Sequence, residues 1–156
     1  MIKTSDGGYA VSGNTHSTDG DFSFNHCNGD GWILKLDYAG GIEWLICYGG
    51  SDFDDMSSLI QTSDGHYIVA GLSWSSDGDV PFNYGSQDGW VLKLDPSESI
   101  EFTKCFGGSK GDRLYSVIQI NEKEFVVGGN TSSIDGDISD NHGMADDWIL
   151  KLVLNE

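Results

Sequence analysis

Five oxygen-bearing side chains, Asp19, Asp21, Ser23, Asn25 and Asp30, stand at relative positions one, three, five, seven and twelve of a single stretch, DGDFSFNHCNGD. Hard oxygen donors at such intervals can wrap a six- to eight-coordinate cation, and calcium is the ion they suit. The fit has defects. Phe24 sits where a helix-flanked calcium loop needs glycine, and no helical period flanks the stretch. A second reading needs no metal: Asp and Asn side chains accept backbone N–H bonds within a long irregular loop, with Gly20 supplying a positive φ. The stretch recurs 58 residues on as Asp77, Asp79, Asn83 and Asp88, with Pro81 replacing Ser23, and again as Asp135, Asp137, Asn141 and Asp146. Recurrence in every copy favours loop architecture first and a metal second.

Other residues could carry chemistry on the same loops. His26 recurs as His142, with Tyr84 between them. A histidine beside aspartates can serve as a general base or a ligand, although its ordinary place in a loop is a solvated one. Asp52, Asp54 and Asp55 follow YGGS in the next connection, and aspartate pairs at a set separation can hydrolyse glycosides. Gly107–Gly111 reads GGSKG, the spacing of a nucleophile elbow, but no helix follows it and its counterpart runs Ser51 into DFD. Trp32, Trp90 and Trp148 share one column and are expected to pack between layers. Trp74 shares its column with His16 and Ser132, so the repeat does not require it. It is the tryptophan free to stack on a sugar or a partner. With His26, Asp52, Asp54 and Asp55 it makes up the candidate ligand-binding set.

The elements that must hold these residues follow from the period. Ile2, Ile60 and Ile118 align, as do Gly13, Gly71 and Gly129, and Lys35, Lys93 and Lys151. Three units are expected, at 1–59, 60–117 and an incomplete 118–156. The full unit holds four short runs with strand character, at 58–62, 67–73, 88–95 and 99–107, joined by Gly, Asp, Ser and Asn. The first and third connections have hairpin length, so consecutive strands should pair antiparallel. The second run is apolar at Tyr67, Ile68, Val69 and Ala70 without alternation, which suits a strand covered on both faces. Cys47 and Cys105 are one period apart and are expected to be small core residues; Cys27 has no counterpart.

Four-stranded sheets covered on both faces and repeated are propeller blades. In their order of features, including the glycine-ended second strand EFVVGGN at 124–130, the units resemble kelch-type blades. They also resemble the repeat arrays of bacterial secreted and surface proteins, through TSDGGYAVSG at 4–13, SSDGDVPFNYG at 75–85, DWILKL at 147–152 and CYGGS at 47–51. TSDGGY at 4–9 is similar to the Asp-box of sialidase-type propellers, but it falls between the first and second strands and its third copy reads INEKEF. The expected fold is therefore all-β: a β-propeller segment of about three four-stranded antiparallel blades, the last lacking its outer strand. Propellers close with four to eight blades. The segment is thus expected to belong to a larger ring, or to one completed by self-association.

Composition limits the partners. A formal charge of −17, from 25 acidic against 8 basic residues, repels polyanions, so nucleic acid is not expected. No apolar run has the roughly 20 residues of a membrane span. The reading reached from sequence is a binding or scaffolding module on a bacterial surface or outside the cell. Its acidic loop face would contact a glycan or a protein, with no catalytic constellation visible. The alternatives are part of a carbohydrate-active hydrolase or lyase, and a purely structural array.

Overall fold

The computed structural model describes residues 1–21 and 29–154. Among them there is no helix, and eleven strands form three antiparallel sheets that do not close into a ring. The first sheet holds β1 (Ile2–Lys3), β2 (Tyr9–Thr15), β3 (Asp30–Leu36) and β4 (Ile42–Tyr48). The second holds β5 (Asp54–Gln61), β6 (Tyr67–Ser73), β7 (Asp88–Leu94) and β8 (Ile100–Phe106). The third holds β9 (Asp112–Gln119), β10 (Glu124–Thr131) and β11 (Asp146–Val153). Strand order follows chain order in each, which is the meander of a propeller blade.

Tight turns join the first two strands of each sheet, and the third and fourth strands of the two four-stranded sheets, at one end. Asp37 accepts the amides of Ala39 and Gly41, and Asp95 accepts those of Ser97 and Ser99. Thr4 and Thr62 donate their hydroxyls to Asp6 and Asp64 in the TSDG turns. The long connections between second and third strands, and the crossovers between sheets, share the opposite end.

Both faces of the second sheet are covered. Tyr67, Val69, Trp90, Leu92 and Leu94 pack toward the first sheet with Ala10, Ile33 and Tyr48. Ile68, Ala70, Val91 and Phe106 pack toward the third with Leu114, Val117, Phe125 and Val127. All seven residues of β6 are buried, as its unbroken apolar run predicts. Lys35 and Lys93 lie along these seams, and Lys151 is exposed on the uncovered face of the third sheet. Lys35 is 3% exposed, with its ammonium 2.7 Å from Asp6 and 2.6 Å from Glu43, while Lys93 reaches Glu101 and Lys151 reaches Glu124. Cys47 and Cys105 are free and buried, and burial raises both thiol pKa values.

The first strand of a blade is longer than its apolar run suggests. β5 begins at Asp54 and β9 at Asp112, so the unit boundaries counted at 59/60 and 117/118 fall inside strands. Asp and Ser have low strand propensity, yet Asp54 pairs with Ser73 and Asp55 with Leu72 because β6 offers them an edge. The register slips in β5 opposite Gly71, and a Cβ on Gly71 would lie 1.9 Å from the Asp55 carbonyl oxygen. At Gly129 the corresponding distance to the Arg113 carbonyl is 1.7 Å. Gly71 and Gly129 are thus needed where a bulged backbone presses on the second strand.

Candidate functional site

The loop face is assembled by a bracket that occurs twice. In the crossover from β4 to β5, four consecutive amides are each accepted by a side chain. Gly49 N–H donates to Asp79 Oδ2 (3.1 Å), Gly50 to Asp54 Oδ2 (2.8 Å), Ser51 to Asp77 Oδ1 (2.8 Å) and Asp52 to Ser75 Oγ (3.0 Å). In the crossover from β8 to β9, Gly107, Gly108, Ser109 and Lys110 donate to Asp137, Asp112, Asp135 and Ser133 in the same order. Asp79 and Asp137 return their own amides to the carbonyls of Gly49 and Gly107. A Cβ on Gly78 or Gly136 would lie 2.5 or 2.3 Å from those carbonyl oxygens, and both glycines have positive φ. The Asp-Gly-Asp segment and the Gly-Gly-Ser segment are therefore two halves of one fastening. Ser51 and Ser109 belong to it and lead into strands.

The other loop residues of the repeat turn inward in the same manner. Asn83 donates to the Ser73 carbonyl (2.8 Å) and accepts from Gly85 N–H, and Asn141 does the same with Thr131 and Gly143. Asp88 accepts from Tyr84 N–H and Asp146 from His142 N–H. The donors spaced for calcium in the second and third copies thus point to different backbone partners, and no cluster of three His, Cys, Asp or Glu fit for a metal occurs among the described residues. In the first copy Asp19 and Asp21 are exposed and Asp30 is buried, while Asn25 and His26 lie outside the described residues.

Four aspartates opening strands, Asp30, Asp54, Asp88 and Asp112, are fully buried at the seams. A Cβ on Gly107 would lie 2.5 Å from Asp112 Oδ2 and 2.6 Å from Asp88 Oδ1, so one glycine separates two carboxyl groups. Burial, with the nearby charges of Asp112 and Asp137, pushes the Asp88 pKa up to about 6 against the pull of the Tyr84 amide. Burial likewise raises Asp54, opposed by hydrogen bonds from Ser73, Gly50 and Ser75 and reinforced by Asp30. Asp54, a candidate contact residue, is therefore an internal group. Asp52 is exposed, and Asp55 accepts from Asn14 Nδ2 (2.6 Å) and Ser57 Oγ.

Trp74 is 46% exposed, with its amide donated to the Phe53 carbonyl. It stands in a cleft of about 440 Å³ with Phe53, Leu72, Gln87 and Arg113. Trp90, in contrast, is 2% exposed and donates Nε1–H to Thr103. Arg113 escapes a reading based on the repeat because no copy shares it; that departure was itself the available signal. No protein-family model matches the chain, and a comparison with curated proteins finds no relative.

Proposed function

We propose that the chain is a non-catalytic binding or scaffolding module whose loop face contacts a glycan or a protein at a bacterial surface or outside the cell. One observation carries the reading: Trp74, the large aromatic that the repeat does not demand, stands exposed on a face whose crossovers are fastened amide by amide. A rigid scaffold presenting an unlike residue is the usual form of a binding loop. Binding is preferred to catalysis because the carboxyls with raised pKa, Asp54 and Asp88, are sealed from solvent. The surface or extracellular setting rests on the likeness of the repeat segments to those of secreted arrays. Screening the chain on a glycan array, with turnover assays on the same polysaccharides, tests the reading. Retention weakened by Trp74→Ala, without product release, is expected; hydrolysis or lyase cleavage of any polysaccharide overturns it.

We infer also that the outer face of the third sheet takes the first sheet of a second copy. Ile149 is 76% exposed, whereas Ile33 and Val91 in the same column are fully buried by the next sheet. Ile118 is 59% exposed on the third sheet too. On the first sheet Val11, Leu34 and Leu36 are half-buried, where Val69, Leu92 and Leu94 are covered. A head-to-tail contact would continue the seam already used twice. Two copies of three sheets would make a six-bladed ring, within the usual range.

A further inference from the structure

The two seams carry equivalent positions at the loop face, and they differ there in kind. Between the first and second sheets, His16 stacks on Phe53 at 5.5 Å and Asn14 donates to Asp55 at 2.6 Å. Gly29 leaves His16 its room, since a Cβ there would lie 2.9 Å from Nε2. Ring on ring and amide on carboxylate close this position.

One period on, every member of that closure is replaced: Trp74 stands for His16, Leu72 for Asn14, Gly111 for Phe53, Arg113 for Asp55 and Gln87 for Gly29. Gly111 offers no ring to cover Trp74, and Leu72 offers no polar atom to Arg113. The Gln87 amide fills the space beside Gly111, where a Cβ would lie 3.0 Å from Nε2. Arg113 is the sole arginine of the sequence, and it has no carboxylate in ion-pair range among the described residues. An unpaired guanidinium in a chain with 25 acidic residues is available to a ligand.

We propose that this cleft binds a carboxylate-bearing sugar residue of a glycan, with Trp74 stacked on the ring and Arg113 paired with the carboxylate. The proposal rests on the loop-face reading and names its ligand class. An indole face suits the C–H face of a pyranose, and a guanidinium fork matches a carboxylate with two parallel hydrogen bonds. Leu72 and Phe53 supply the apolar wall. The overall charge of −17 does not forbid an acidic ligand, because at 0.15 M salt the screening length is about 8 Å and contact with Arg113 outweighs distant acids.

The test is calorimetric titration of the full chain with tetramers of galacturonate, glucuronate and mannuronate and with their neutral methyl esters. At least one acid should bind at least tenfold more tightly than its ester. Arg113→Gln should erase that preference, and Trp74→Ala should weaken acid and ester by a similar factor. Both side chains are exposed, and an unchanged melting temperature checks that each variant is folded. Equal binding of acid and ester, lost in Trp74→Ala, would overturn the acidic-sugar assignment and leave the loop-face reading standing. A preference for the acid that survives Arg113→Gln would likewise overturn the assignment. Binding of none of the six compounds removes the cleft as a site for uronates, and the glycan array then decides the wider reading.

Discussion

Asp88 shows how one carboxyl can set the pH response of a seam. Its pKa of about 6 lies above the unfolded value near 3.9, so the folded state holds the proton more tightly. Stability therefore rises as pH falls from above 6 toward 4, by on the order of 2–3 kcal/mol from this group. The acids held low by hydrogen bonds or ion pairs, among them Asp6, Glu101 and Glu124, act oppositely; their contribution disappears as pH falls through and below the ordinary carboxylate range. The chain should accordingly melt at a higher temperature at pH 5 than at pH 8 in scanning calorimetry. Asp88→Asn keeps an acceptor for the Tyr84 amide and removes the charge. It should raise the pH 8 melting temperature and flatten the difference; an unchanged difference would refute the assignment to Asp88. That Asp77, Asp79, Asp135 and Asp137 accept backbone amides is legible from the aspartate and glycine pattern. The sequence reading keeps those bonds within one loop, whereas the structure sends them to the preceding crossover, 26–30 positions away in sequence.

At the scale of elements, the hairpins and the doubly covered second strand are readable because turn chemistry and apolar runs are local properties. The start of the first strand is not, since Asp54 and Asp112 join a sheet only because a neighbouring edge pairs with them. The bulge that this pairing contains makes Gly129 a sensitive position. Gly129→Ala would drive a methyl group into the Arg113 carbonyl and should cost about 1–3 kcal/mol or more, lowering the melting temperature by roughly 5–10 °C. Gly143→Ala, with nothing within 4 Å of the added Cβ, is the control and should melt with the parent. Equal melting of the two variants would mean that the close approach at the bulge is relieved at little cost.

For the whole molecule, the exposed face of the third sheet is the feature with the largest consequence. Ile149→Asp places a charge where the repeat buries an aliphatic side chain. Sedimentation velocity of the parent chain at tens of micromolar should reveal an associated species, and the variant should be monomeric while keeping its melting temperature. A parent that stays monomeric at that concentration contradicts the head-to-tail contact. The face proposed for association does not include Trp74 or Arg113, so loss of one property should leave the other intact.

By itself the sequence determined the number of units, the all-β class, the order of strands and which loops share an end, because a period of 58 and short apolar runs encode neighbour relations along the chain. Tertiary structure alone decided that Asp54 and Asp88 face inward, that Gly-Gly-Ser is held by the following loop's aspartates, and that Arg113 lines the same cleft as Trp74. Each of these depends on how one sheet packs on the next. That relation brings residues tens of positions apart within hydrogen-bonding distance and has no signature in any single unit.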